Sequence, residues 1–143
     1  MKKVVVISIL AVFSFFVVSA AYAGGKCPQP RKTKAAPASA AKMDKTAKAD
    51  AAKGKAIYEK TAKPMACKMC HGAKGDGAGK LGAALKPKPR DFTCAATMKD
   101  ISAGQMFHII KKGSKGTGMV AHKSLKDAQI WDVVKYIRST FVK

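Results

Sequence analysis

Residues 63–77, KPMACKMCHGAKGDG, place Cys67, Cys70 and His71 within five positions of one another. Two thiols and an imidazole held that tightly fix a short turn of chain around whatever they bind, so the rest of the fold has to be built around that turn. A metal, a disulfide and a covalently attached group are all compatible with it, and compartment helps decide, because thiols stay reduced inside cells and oxidise outside them. The N-terminus speaks to compartment. Lys2 and Lys3 form a short basic start, the run from Val4 to Ala20 is apolar apart from three serines, and Ala21-Tyr22-Ala23 fits the small-x-small pattern cut by signal peptidase. Residues 1–23 are therefore expected to be a removed secretory signal. The alternative is an uncleaved N-terminal membrane anchor, since the run approaches the about 20 residues that span a bilayer. Both place the folded part outside the cytoplasmic membrane, in the periplasm.

The chain carries 28 Lys and Arg against 8 Asp and Glu, a formal charge of +20. Export argues against nucleic acid as the target of that charge, and no aromatic residues are interleaved with the lysines as a stacking platform requires. Acidic redox partner proteins or an anionic membrane surface remain, attracted at long range and released by salt.

Residues 24–53 are built from Ala, Lys, Pro, Ser and Thr with no large apolar side chain but Met43. With so little surface to offset the entropy of ordering, they are expected to form a flexible tether. Apolar residues return in 54–143, which is close to the lower size limit for an independent core. No two-residue alternation runs long enough for a strand, so the fold class is all-α. One helix is expected over Asp50–Thr61, with Gly54 and Tyr58 on one face. A second is expected over Ser102–Lys112, opened by a Ser102/Gln105 capping box and stopped by Gly113. A third is expected over Leu125–Phe141, with Ile130, Val134, Ile137 and Phe141 as its buried stripe. Long Gly- and Pro-punctuated loops lie between them, and loops of that length in a small domain usually serve function.

Three chemistries compete for CKMCH. A structural zinc wants four ligands, and only Cys94 and scattered histidines could complete the set. A thioredoxin-like pair wants a βαβ setting that this chain lacks. Covalent haem c needs two thiols for the porphyrin vinyls and a histidine immediately after, in this order and at this spacing. A bound porphyrin would also supply apolar mass that a small helical core is short of. Met119, after the glycine-rich run KKGSKGTG, is placed to bring a thioether to the iron face opposite His71, a pairing that raises the reduction potential.

GKAIYEKTAKPMACKMCHGAKGDGAG, LKPKPRDF and GTGMVAHKSLKDAQIWDVVKYIRS together resemble the class I single-haem bacterial cytochromes c over about residues 54–140. The resemblance implies a small cytochrome c-like helical bundle wrapped around one covalent haem, with crossing N- and C-terminal helices that meet near Trp131 and Val134. It implies thioether links at Cys67 and Cys70, a proximal ligand at His71 and a distal ligand at Met119. Pro87 or Pro89 is a candidate to offer a carbonyl to His71 Nδ1, and Arg90 a candidate to pair with a haem propionate. Two departures stand out: Val120 follows Met119 where many relatives have proline, and extra residues sit around Lys63-Pro64-Met65. His122 is therefore a rival ligand, or else a surface residue near the haem edge. His108 is expected at the surface or boundary, and Met65, Met69, Met98 and Met106 in packing roles. Cys27 and Cys94 remain, either as a disulfide or as free thiols.

The function implied is one-electron transport between redox partners, not enzymatic catalysis: the sequence offers no carboxylate pair, triad or open metal position. Alternatives are a haem subunit of a larger oxidoreductase, and a small-ligand-binding or peroxidatic haem protein with a labile Met119.

Overall fold

The computed structural model describes Cys27 and residues 33–143. The expected signal, residues 1–23, and most of the first part of the expected tether lie outside the described residues. No described helix is long and apolar enough to cross a membrane.

The described residues form helices and turns, with no strand among them. In chain order the helices are α1 (Ala38–Ala41), α2 (Ala51–Ala56, continued by a wider π turn over Ile57–Thr61), α3 (Lys68–His71), α4 (Ala95–Met98), α5 (Ala103–Lys112) and α6 (Asp127–Thr140). Asp50 starts α2 by accepting from the N–H groups of Ala52 and Lys53 at 2.9 and 3.1 Å, which satisfies donors that a helix start leaves open. Gly113, at φ +76°, ends α5.

The first and last core helices cross. At the crossing Gly54 is buried, and a Cβ there would run into the Asp132 carbonyl and lie 2.9 Å from Tyr136 Cβ. Only glycine allows the backbones this close. The closest approach of Gly54 is to Asp132 and Tyr136, beside the expected Trp131 and Val134. Trp131 instead stacks on Phe107 of α5 at 4.5 Å and 15°, because residues one position apart on a helix point about 100° apart. Tyr58, Tyr136 and Phe141 form a cluster with ring centroids 5.5 Å apart. Ile130, Val133 and Val134 are fully buried and Ile137 nearly so, each contributing about 1.5–3 kcal/mol relative to exposure.

Residues 33–49 lie against the domain, where composition had argued for a free tether. Gln105 accepts from Ala36 N–H and donates through Nε2 to the Lys34 carbonyl at 2.9 Å. Ser102 donates to the Ala41 carbonyl at 2.7 Å while accepting from Gln105 N–H at 3.1 Å. The capping box is therefore half formed: the Gln105 amide, expected to reach back to Ser102, holds the N-terminal segment. Gly104 is buried, and a Cβ there would meet the Ala40, Ala41 and Met43 carbonyls. Cys27 and Cys94 form a disulfide, fastening the segment at its far end. The ordering comes from a covalent link and from side-chain hydrogen bonds to the segment's backbone, which hydrophobicity does not report.

Candidate cofactor site

Cys67 caps α3 and His71 ends it. Gly72 follows at φ +79°, a conformation open to glycine. The chain then folds back over the helix end, where Gly77 N–H donates to the His71 carbonyl at 2.9 Å and Gly79 N–H to the Cys70 carbonyl at 3.1 Å. A Cβ on Gly79 would lie 2.5–2.7 Å from backbone atoms of Met69, Lys68 and Cys70. The glycines of HGAKGDGAG are thus the means by which a short loop locks the histidine in place.

His71 Nδ1 lies 3.1 Å from the Arg90 carbonyl. A carbonyl can only accept, so Nδ1 carries the proton and Nε2 the lone pair. Burial pushes the imidazole down to about 4 from its ordinary 6.5, with the nearby Arg90 charge and His122 acting the same way against the favourable backbone bond. The ring is neutral at pH 7 and stacks on Phe92 at 4.6 Å and 15°. The carbonyl is neither that of Pro87 nor that of Pro89. Pro89's is turned toward Gly77, where a Cβ would be 2.7 Å from it, so the next one along the chain faces the ring.

His71, Cys67 and Cys70 line an apolar cavity together with Met119, Ile110 and Leu85. Both cysteines are free. Burial pushes the Cys67 thiol up to about 12 and raises Cys70 as well, so both are protonated at neutral pH. Cys70 Sγ lies 3.9 Å from the sulfur of Met65, which is 37% exposed and also borders the cavity. Among the described residues, no group of three or more His, Cys, Asp or Glu is arranged to hold a metal ion by itself.

Met119 is half-buried and packs against the core edge. Its N–H donates to Thr117 Oγ1 at 3.0 Å and its carbonyl accepts from Ser114 N–H at 2.9 Å. Arg90 borders the cavity and donates through Nη2 to Thr33 Oγ1. Burial lowers its pKa, yet a guanidinium stays charged at neutral pH. Pro87 and Pro89 are lining residues. His122 is not at the surface: it is 4% exposed, and its Nδ1 lies 2.9 Å from the Lys63 carbonyl. Lys63, from the segment before Cys67, supplies that carbonyl. His108 is half-buried, and Met98 and Met106 are core residues. Sequence reasoning did not find Phe92 or Gln105 as parts of the site. An aromatic two residues after Arg90 was the available signal for the first.

Two free thiols, an imidazole, a thioether and a guanidinium lining one apolar cavity match the donor set of covalent haem c. The match extends to the whole domain: residues 51–141 fit the family model of cytochrome c. The chain belongs to the cytochrome c family, which implies covalent haem c and haem-based electron transfer. Among solved structures it is similar to a chain of the Kuenenia stuttgartiensis reducing HAO-like protein complex Kustc0457/Kustc0458, with TM-score 0.53 and 26% identity over 65% of this chain and 43% of that chain. This chain therefore matches less than half the length of that protein. No curated protein matches the chain significantly.

Proposed function

We propose that the protein is a one-electron carrier with a single haem c on Cys67 and Cys70, working in the periplasm between acidic redox partners. The observation that carries this reading is that both free thiols and the His71 ring border the cavity that Met119 also borders. When bound, the haem supplies the chemistry, a one-electron change at iron. The chain's residues do the rest. His71 offers Nε2 as proximal ligand, and its Nδ1–H is held by the Arg90 carbonyl, which fixes the ring plane and raises the basicity of Nε2. Met119 would hold the iron through its thioether, which favours the ferrous state, Arg90 would pair with a propionate, and the apolar lining would exclude water.

Lys74, Lys80, Lys86, Lys88 and Lys123 are exposed, and Lys68 partly so, in segments flanking the site. They form a basic ring that steers docking onto acidic surfaces. Electron exchange with an anionic reagent such as ferrocyanide is expected to slow as salt rises, and exchange with a cationic reagent to quicken. Equal insensitivity of both would remove the steering role.

A second reading has support in the likeness to a chain of the Kuenenia complex: a haem subunit held in a larger oxidoreductase, with residues 24–53 as the attachment. Native mass in extracts separates it from a free carrier. Carbon monoxide tests the carrier reading against a small-ligand or peroxidatic role. The reduced, haem-loaded protein is expected to resist it at neutral pH, and rapid complete uptake would overturn the carrier.

A further inference from the structure

The segment before the haem cysteines and the loop after Met119 meet in space. Lys63, in the extra segment before the haem cysteines, presents its carbonyl to Nδ1 of His122, three residues after Met119. The same carbonyl accepts from Ser124 Oγ at 3.3 Å, and His122 N–H donates to the Ile110 carbonyl at 3.0 Å. His122 is thus fixed to α5 through its backbone and to the inserted segment through its ring.

A carbonyl accepts only, so the proton of the neutral imidazole sits on Nδ1, and Nε2 carries a lone pair. That nitrogen has no hydrogen-bond partner among the described residues, and since every buried side-chain nitrogen and oxygen there has one, it is an accessible atom of a residue that is 4% exposed and borders the cavity. His71 is arranged alike, with Nδ1 on the Arg90 carbonyl and Nε2 without a partner among the described residues. The cavity is therefore bordered by two imidazoles, His122 buried and His71 half-buried, each held in the tautomer that a metal ligand needs. Met119 is less firmly held: its backbone bonds run only to Ser114 and Thr117 of its own loop, and Val120 beside it is 47% exposed.

We propose that His122 is a second distal base, which takes the haem iron when Met119 is displaced. This rests on the haem reading of the preceding section. In the exchange the iron–sulfur coordinate bond breaks and an iron–Nε2 bond forms. Each donor keeps or brings its own lone pair, Nδ1 keeps its proton, and no electron is transferred. The product, with an imidazole on each face, has a lower reduction potential than the imidazole–thioether form, and it remains closed to small ligands.

The test uses the haem-loaded protein with Met119→Leu, a swap that conserves volume and apolarity, read by ferric spin state in electron paramagnetic resonance and by carbon monoxide uptake. The single variant is expected to stay low-spin with a bis-imidazole signature and to resist carbon monoxide. Met119→Leu/His122→Phe is expected to become high-spin and take up carbon monoxide rapidly. A high-spin Met119→Leu protein, or a double variant that stays low-spin, overturns the proposal. In the unsubstituted protein, warming is expected to remove the far-red sulfur-to-iron band without loss of the low-spin state, and His122→Phe to turn that product high-spin. The assignment of Met119 is read separately: the band at rest, retained in His122→Phe, supports it, and its absence from both proteins removes that assignment while leaving the His122 result to stand or fall alone.

Discussion

The hydroxyl of Tyr58 donates to the carbonyl of Gly72 across 2.7 Å, joining the first core helix to the turn that leaves His71. Tyr58 is fully buried, so Tyr58→Phe strands the carbonyl without adding a partner. A loss of about 1–2 kcal/mol is expected, measured by denaturant unfolding of the haem-loaded protein. An unchanged midpoint would mean that the bond contributes nothing.

Gly54 allows α2 to touch α6. Gly54→Ala drives a methyl into the Asp132 carbonyl and against Tyr136 Cβ. Neither obstacle is the far end of a flexible side chain, so the helices must separate. The better helix propensity of alanine, about 1 kcal/mol, is outweighed, and a net loss of about 2–3 kcal/mol is expected. Thermal unfolding checks the sign: a stabilised variant would contradict the crossing as described.

Asp50 caps α2 as a carboxylate. Its pKa is lowered from 3.8, chiefly by the Lys53 backbone N–H, against desolvation as the next largest effect, with the Ala52 N–H and the charges of Lys53 and Lys135 also lowering it. A depressed carboxyl pKa stabilises the fold above the unfolded value and loses that contribution as pH falls through the folded one. Asp50→Ala is therefore expected to unfold at a lower temperature than the parent at pH 7. The gap should narrow below pH 3.8. A gap that does not depend on pH would show that charge has no part in the cap.

Cys27 and Cys94 are bonded across a separation of 67 residues. Replacing both by serine is expected to cost about 4 kcal/mol through the freed entropy of the unfolded chain. It should also loosen residues 33–49 from Gln105 and Ser102, read as faster proteolysis within that segment than within α6. Equal proteolysis before and after would mean that the hydrogen bonds hold the segment unaided.

The three longest helices were legible because each repeats apolar residues at helical spacing over enough turns to register. Helices α1, α3 and α4 are four residues each, too short for any period to show. The haem motif was legible because thioether attachment is a local matter of order and spacing. What could not be read depended on contacts across the chain. The carbonyl that holds His71 lies one residue beyond the candidates because Pro89's is directed to Gly77. His122 is buried, with its ring bonded to the carbonyl of Lys63, 59 residues earlier. The order of residues 33–49 is set by the side chains of Gln105 and Ser102, far along the sequence, and composition alone argued the opposite.

The most direct test of the account is a combined optical and mass spectrum of the chain expressed with haem-maturation machinery. The account predicts one haem, bound covalently through Cys67 and Cys70 and lost as a covalent adduct when both are replaced by serine, with a weak far-red band from the sulfur of Met119. A matured polypeptide that is colourless, or that carries zinc on the same cysteines, would contradict it.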